Sequence, residues 1–349
     1  MNLVKRLTDW THWPFLLFYA PIAIAWPWYY LKSRSLWFFT ASNPTITFGG
    51  FEGEAKSEMY RQLPAHLLPR SIFIKPHTPF DTVLQQVEQH GLTYPFIVKP
   101  DVGMKGLLFR KIEQEPQLQT YHRHMPVAYI IQEFLDLPLE VSVFYYRKPG
   151  NPTGRITALI QKDLLEVTGN GSATLAELVQ QHPDAKTLLT KIENEQQAHL
   201  NRVLKPGEVF RVLHVANLFN GARFKNLAAQ IDAGLLHVFD AISQENSFYY
   251  GRYDIKCNAI ADLKQGRDFY ILEFNGAGST PNHIYTGTYT LLQAYKEMLL
   301  HWRLLYEASA LNHKNGHRHW SFLKGHRFLK ASKKHFNVLK KLDAELTLS

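Results

Sequence analysis

Two short stretches of sequence decide the fold, GRYD at residues 251–254 and EFN at residues 273–275. Side chains alternate along a β-strand, so Glu273 and Asn275 share one face of the second strand. If the two strands pair across the short turn between them, Asp254 lies on that face as well. Two carboxylates and an amide oxygen are hard ligands of the kind that Mg²⁺ prefers. The pattern therefore predicts a metal site, with a solvated polar sheet face as the alternative.

Two further features suit phosphate. Arg252 falls on the same predicted face, and its guanidinium fork matches phosphate oxygens beside a metal. The stretch PFIVKP at residues 95–100 reads as a short strand that ends near Lys99, and a turn containing Gly103 and Gly106 follows it. A lysine at a strand end beside a flexible glycine loop is a natural phosphate clamp. A solvent-facing lysine before a hairpin is the alternative.

The stretch IQEFL at residues 131–135 offers groups that suit a nucleoside. It carries Glu133, Phe134 and Leu135 at the end of a predicted strand, and Glu140 follows Glu133 by seven residues. A strand end can offer backbone groups to an adenine edge, and a carboxylate can accept hydrogen bonds from ribose hydroxyls. Taken singly, each acid reads as a surface residue.

The order of predicted elements favours the α+β class, because strands and helices alternate without a regular βαβ rhythm. Predicted strands cover residues 94–99, 107–112, 128–134, 140–147, 155–160, 209–215, 253–260 and 269–274. Predicted helices cover residues 54–63, 78–90, 231–242 and 291–310, and residues 173–204 are mainly helical. Cys257 is the only cysteine. It is expected to be a packed core residue, and its isolation fits a reducing compartment.

The net charge of +9 belongs to the C-terminal tail. Nine basic residues and no acidic one lie between residues 313 and 342, which leaves 30 basic and 30 acidic residues elsewhere. A neutral body argues against a general nucleic-acid binder. Phe322, Leu329 and Phe336 recur every seven residues, so the tail predicts a basic amphipathic helix. Such a helix favours an anionic membrane surface, with nucleic acid or packing on the body as alternatives.

The N-terminal residues 13–31 carry no charge, and prolines interrupt the run. The run is barely long enough to span a bilayer, and proline disrupts a helix. Basic residues flank both ends of the run, so the positive-inside rule predicts no orientation in a membrane. These residues are Lys5, Arg6, Lys32 and Arg34. An interfacial anchor is the first interpretation, an apolar arm packed on the body the second, and a secretory signal with a cleavage-like AIA at residues 23–25 the third.

The order along the chain of the motifs around Lys99, Glu133 and Asp254–Asn275 resembles that of an ATP-grasp enzyme, and the layout is closest to the D-alanine–D-alanine ligase branch. The resemblance covers roughly residues 50–310. The resemblance implies two α+β lobes that grip ATP after an N-terminal domain. It also implies that Mg²⁺ and ATP drive the joining of a carboxylate to an amine or other nucleophile, through an acyl-phosphate and with release of ADP. The implied divisions are an aromatic membrane-associating segment (1–40), a reduced preceding region (41–92), a central lobe (93–150), a C-terminal lobe (151–311) and a basic tail (312–349).

The resemblance also implies roles for individual residues. Three lysines match the nucleotide-binding positions: Lys56, Lys99 and Lys162. The glycine turn at residues 101–106 matches the phosphate lid, and the nucleoside side matches Glu133, Phe134, Leu135 and Glu140. Arg252 matches the phosphate-side arginine, and the metal ligands match Asp254, Glu273 and Asn275. Arg252 and the backbone of residues 276–278 are expected to stabilise the developing oxyanion.

The sequence departs from the D-alanine ligases in three places, which argues against a D-alanine substrate. The lid is shorter and lacks their serine pair, the N-terminal domain is reduced, and GAGSTPNH at residues 276–283 replaces their substrate loop. Ser279, Asn282 and His283 become candidates for substrate contact, with loop structure or helix capping as the alternative. The expected location is cytoplasmic and peripheral on the inner membrane face. An ATP-grasp kinase and a non-catalytic nucleotide-binding scaffold are the alternative functions.

Overall fold

The structure is a computed structural model that describes residues 9–346. Lys5 and Arg6, the basic flank before the aromatic segment, lie outside this range. The predicted α+β class is confirmed, because every sheet is antiparallel and helices pack against the sheet faces.

Eleven strands form within the described residues. They are β1 (Ser71–Ile74), β2 (Phe96–Pro100), β3 (Arg110–Ile112), β4 (Tyr129–Glu133), β5 (Leu139–Tyr146), β6 (Arg155–Asp163), β7 (Glu166–Thr168), β8 (Val209–Arg211), β9 (Arg223–Asn226), β10 (Tyr250–Cys257) and β11 (Phe269–Asn275). A four-stranded sheet has the order β1-β4-β2-β3, and a five-stranded sheet has the order β11-β10-β5-β6-β9. Strands β7 and β8 form a separate hairpin.

The α-helices of the same range are α1 (Phe15–Tyr19), α2 (Ala25–Ser33), α3 (Lys56–Tyr60), α4 (Phe80–Gln89), α5 (Glu115–His124), α6 (Leu175–Gln181), α7 (Leu189–Gln196), α8 (Ala233–Gln244), α9 (Ile260–Lys264), α10 (Leu291–Lys314) and α11 (Phe322–Glu345). Helix α10 begins with a capping box, in which Thr290 and Gln293 satisfy each other's backbone N–H groups. Helix α9 forms where the sequence predicts only a turn between β10 and β11.

Strand β5 shows how the five-stranded sheet is built. Its β-branched and aromatic residues are buried on both faces, because side chains alternate and each face meets a helix. Val143 and Tyr145 pack with Phe239 of α8 in one core. Phe144 packs with Leu305 of α10 in another. Cys257 is buried in the first core, as expected.

The two terminal segments pack differently against this body. In the N-terminal segment, Trp10 and Phe18 are buried against α10, whereas Leu16 and Ile24 are exposed by 79% and 81%. Helix α11 instead buries Phe336 and Leu339 in the core of the four-stranded sheet, together with Leu346 just after the helix, while Phe322 and Leu323 at its start stay exposed. Within residues 9–346, no helix is both long enough and apolar enough to cross a bilayer.

Candidate nucleotide and metal site

Strands β10 and β11 bring the two opening stretches together as the sequence predicts. Asp254 lies opposite Glu273, and Arg252 lies opposite Asn275. Because residues paired across antiparallel strands point to the same face, all four side chains share one surface. We call this surface, made of Arg252, Asp254, Glu273 and Asn275, the strand wall.

Asp254 is the most heavily partnered carboxylate of the strand wall. Its Oδ1 accepts a hydrogen bond from Arg252 Nε at 2.9 Å and lies 3.1 Å from Lys162 Nζ. Its Oδ2 accepts from Asn275 Nδ2 at 3.2 Å, and Ser142 Oγ donates to Oδ1. Burial opposes the charged form, but Arg252 and Lys162 outweigh it and hold the pKa of Asp254 well below its ordinary value. Asp254 is therefore a fixed anion.

Glu273 is paired with the first predicted lysine. Lys56 begins α3 and places its Nζ 3.1 Å from Glu273 Oε1. Burial raises the pKa of Glu273, but the nearby positive charges, Lys56 first among them, lower it by more. The net shift of the Glu273 pKa is therefore downward. The Glu273 side chain retains 32% of its exposure. It can thus accept a second cation from the open side.

Lys99 and Lys162 reach the same space from different strands. Lys99 donates to Gln132 Oε1 at 3.0 Å, and burial together with the charge of Lys56 lowers its pKa to about 8. Lys162 Nζ lies 3.3 Å from Glu140 Oε1 as well as beside Asp254. Glu140 therefore has a cation partner, although burial raises its pKa. The three predicted lysines converge on one cavity.

The cavity has a volume of about 460 Å³ and is lined by residues of both the four-stranded and the five-stranded sheet. The strand wall forms one side, and residues 101–106 form another, which we call the turn wall. Seven basic side chains line the cavity: Lys56, Lys99, Lys105, Lys162, Arg211, Arg252 and Lys256. Six carboxylates line it too: Glu52, Glu54, Glu133, Glu140, Asp254 and Glu273. Such a mixture suits a polyanion bound together with a metal cation better than a polyanion alone.

The turn wall is held by the C-terminal helix. His335 Nε2 of α11 donates to the Val102 carbonyl at 2.8 Å, and Phe336 itself lines the cavity. Asp343 Oδ1 accepts from the Leu108 backbone N–H at 2.8 Å and pairs with Arg110 at 3.0 Å. Gly106 has a φ of +77°, a backbone conformation that favours glycine. The tail therefore helps to shape the site.

The residues predicted to contact the nucleoside already have partners within the protein. Glu133 is engaged by Arg70, whose Nε lies 2.9 Å from Oε2 and whose backbone N–H donates to Oε1 at 2.7 Å. The Phe134 ring lies beneath two lysine ammonium groups. The Leu135 carbonyl accepts from Lys256 Nζ at 3.0 Å. All three residues line the cavity.

The three residues predicted to contact the substrate do not all lie at the cavity. Ser279 and Asn282 line the cavity, and the Asn282 amide can accept from Arg252 Nη1 at 2.7 Å while donating to the Thr280 carbonyl. Ser279 Oγ also donates to the Gly276 carbonyl at 2.7 Å. His283 does not line the cavity and is buried beside Glu297.

The expected backbone oxyanion site is not free. The N–H groups of Ala277 and Gly278 donate to the carbonyls of Gly49 and Gly50 at 3.0 and 2.9 Å. These contacts hold residues 49–50 against the end of β11. The N–H groups of Ala277 and Gly278 are therefore not available to an oxyanion.

Sequence reasoning missed several titratable residues of the cavity, and two of them, Glu54 and His214, have strongly shifted pKa values. Glu54 Oε2 is buried and has no hydrogen-bond partner among residues 9–346. Burial raises the pKa of this carboxyl group to about 7. Burial and nearby Lys111 lower the pKa of His214 to about 4. No sequence pattern marked His214 as a site residue. Glu54, in contrast, lies two residues before Lys56, which the family resemblance had marked.

The donor set fits a nucleotide-bound Mg²⁺ ion. Asp254 and Glu273 supply carboxylates from facing strands, and Asn275 supplies an amide beside them. The metal's remaining positions would go to water and phosphate oxygens. The lysines surrounding this set would lie near the same phosphates.

No protein-family model and no curated protein sequence matches the chain. Among solved structures, it is similar to the D-Ala:D-Ser ligase VanG from Enterococcus faecalis (13% identity, TM-score 0.41), covering 74% of this chain and 62% of that one. It is also similar to a D-alanine–D-alanine ligase from Bacillus anthracis (12%, TM-score 0.36, 71% and 67% covered). A third match is a bifunctional glutathione synthetase from Pasteurella multocida (14%, TM-score 0.36, 70% and 35% covered). All three are ATP-grasp enzymes. Because the TM-scores are low, any function proposed for this chain rests on its own side chains.

Proposed function

We propose that the protein is an ATP- and Mg²⁺-dependent ligase that joins a carboxylate to an amine or other nucleophile and releases ADP. One observation supports this above all. The strand wall and three lysines, which come from distant parts of the sequence, meet around one cavity. Ion pairs that only stabilise a fold do not need to line an open cavity, whereas groups that bind a charged ligand do.

The lysines bind and orient the triphosphate in this proposal. Lys56, Lys99 and Lys162 offset its charge and hold the γ-phosphoryl group in line with an incoming carboxylate. Asp254, Glu273 and Asn275 hold Mg²⁺, which supplies additional positive charge to the phosphate oxygens when bound.

Arg252 acts at the carboxylate being joined. Attack of the substrate carboxylate on the γ-phosphorus forms an acyl-phosphate and breaks the bond to ADP. The nucleophile then attacks the acyl carbon and phosphate leaves. Arg252 is buried beside Asp254, and burial alone lowers its pKa, but the Asp254 charge raises the pKa overall. A permanent cation at this position stabilises negative charge on the acyl oxygen.

The test is a screen of carboxylate and amine pairs scored by ADP release. A ligase releases ADP fully only when both partners are present, and hydroxylamine traps its acyl-phosphate when the amine is omitted. A kinase instead leaves a stable phosphate ester on a hydroxyl substrate. If the protein binds ATP but releases no ADP with any pair, the scaffold alternative replaces the ligase.

We also propose that the protein docks on an anionic membrane surface through its N-terminal segment. The exposed apolar side chains there form the docking surface: Leu16, Leu17, Ile24, Trp28 and Leu31. Exposed Lys32 and Arg34 follow directly in sequence. Apolar residues beside basic ones match an interface with anionic headgroups. Helix α11 packs Phe336 and Leu339 on the body, and its outward lysines add positive charge to the protein surface.

Flotation with liposomes tests the docking surface. We expect the protein to float with phosphatidylserine vesicles at low salt and to float less at high salt. Ile24→Asp with Leu31→Asp should abolish flotation, whereas the matched exposed pair Val203→Asp with Val209→Asp should not. Equal flotation of both double variants would refute the assignment.

A further inference from the structure

A second group of metal-binding side chains lies outside the cavity. His283 sits in the single helical turn at Asn282–Tyr285, while Glu297 and His301 are four residues apart on α10. Residues at that spacing share one face of a helix. One ligand atom from each of the three lies within 4.8 Å of the others. His283 Nε2 is 3.4 Å from Glu297 Oε2.

These histidines are buried without the partners that buried polar groups normally have. His301 is fully buried, and neither ring nitrogen has a hydrogen-bond partner within residues 9–346. His283 is 3% exposed, and its Nδ1 is also unpartnered in that range. Leaving such groups unsatisfied is costly, so each calls for an explanation. A bound cation that accepts imidazole lone pairs supplies one.

Apolar side chains surround most of the cluster. The Phe144 ring lies edge-on to His301 with the centroids 4.4 Å apart, and the Tyr289 ring packs on His283. Ala294 and Met298, on the same helix, are buried under the N-terminal residue Phe18. The Glu297 side chain is 29% exposed, so one side of the cluster stays open and water there can take the fourth position of a tetrahedral site.

We propose that His283, Glu297 and His301 bind a borderline transition-metal dication, of which Zn²⁺ is the type. Two imidazoles and one carboxylate are ligands that Zn²⁺ accepts, whereas Mg²⁺ prefers oxygen. The ion ties the loop that carries Ser279 and Asn282 to helix α10. This metal is separate from the one proposed at the strand wall and does not depend on ATP.

The experiment measures zinc in the full-length protein without nucleotide. Chelator-treated protein is incubated with Zn²⁺ in millimolar Mg²⁺, gel-filtered and analysed for metal. We expect a single equivalent of zinc to be retained, an increase in Tm, and tetrahedral absorption bands when Co²⁺ replaces Zn²⁺. Glu297→Gln should lose the retained zinc, the Tm increase and the cobalt bands together.

Two variants control for binding elsewhere. Glu273→Gln changes a carboxylate of the strand wall, and His313→Ala removes an exposed histidine of the same helix; both should retain the zinc. If Glu297→Gln does not fold by circular dichroism, His283→Gln takes its place. Failure of the parent protein to retain zinc, or retention by Glu297→Gln, overturns the proposal. Neither result bears on ADP release, so this site and the ligase can fail separately.

Discussion

The strand wall and the turn wall face the same cavity but are held in place by different means. In the strand wall, Asp254 and its partners come from neighbouring strands whose register fixes their distances. In the turn wall, residues 101–106 form no strand, and a helix more than two hundred residues away in sequence contacts them. The difference teaches that the proposed chemistry rests on a rigid sheet, whereas the turn wall depends on docking of the tail at Val102 and on Ser57, which donates two hydrogen bonds to the Asp101 carboxylate.

The largest effect is expected at the strand wall. Glu273→Ala removes a proposed metal ligand and leaves Lys56 buried without its carboxylate. Mg-ATP turnover should fall by about 1,000-fold, the scale seen when a preorganised charge is lost. Steady-state ADP release measures it, with Glu88→Ala on the exposed surface of α4 as control. Turnover that survives in a folded Glu273→Ala protein would remove the site assignment.

Lys99 should give the next largest effect. Lys99→Ala removes a buried cation from the phosphate region while leaving the strand wall intact. We expect a loss in kcat/KM for ATP of about 100-fold, since a charge-assisted hydrogen bond contributes about 1.5–3 kcal/mol. The exposed Lys75→Ala is the matched control. An unchanged kcat/KM would show that this lysine serves only to pair with Gln132.

A smaller effect should follow from loosening the turn wall. His335→Ala removes the hydrogen bond to the Val102 carbonyl, which is worth about 1 kcal/mol. The KM for ATP should rise about fivefold while kcat stays near the parent value. His326→Ala, exposed on the same helix, is the control. If kcat falls and KM does not change, the two walls do not differ in the way described.

A last effect is expected in stability and not in turnover, at Glu54, which lines the same cavity. In the folded protein the carboxyl has a pKa of about 7, against 4.5 ordinarily, so the folded state holds an extra proton between these pH values. The contribution of Glu54 to the free energy of unfolding should therefore fall as pH rises from 4.5 to 7, by at most about 3 kcal/mol, and it is read as the difference between the parent and Glu54→Gln because buried histidines such as His214 contribute in the opposite sense. Urea unfolding across that range measures the slope.

Glu54→Gln cannot ionise, so it should lack this contribution and be the more stable protein at pH 7.5. Glu88→Gln, exposed on α4, should keep the pH dependence of the parent. A parent protein and a Glu54→Gln protein whose stabilities change with pH in parallel would contradict a buried Oε2 without a partner at Glu54.

The sequence by itself determined the strand wall. Alternation along a strand places Glu273 and Asn275 on one face whatever surrounds them, and a short connection makes β10 and β11 neighbours. The α+β class and the approximate positions of most strands also followed from local pattern. Lys99 was suggested by its place at a strand end beside a glycine turn, whereas Lys56 and Lys162 could be placed only through a family resemblance, because a single lysine has no distinctive periodicity.

Only the tertiary structure decided how the remaining parts meet. The apolar repeat of the tail predicted a helix, but not that Phe336 would reach the cavity or that His335 would contact the glycine turn. The cluster of His283, Glu297 and His301 likewise joins a loop to a helix face. Such contacts depend on how helices dock on sheets, which is set by packing over the whole molecule and not by any short stretch of sequence.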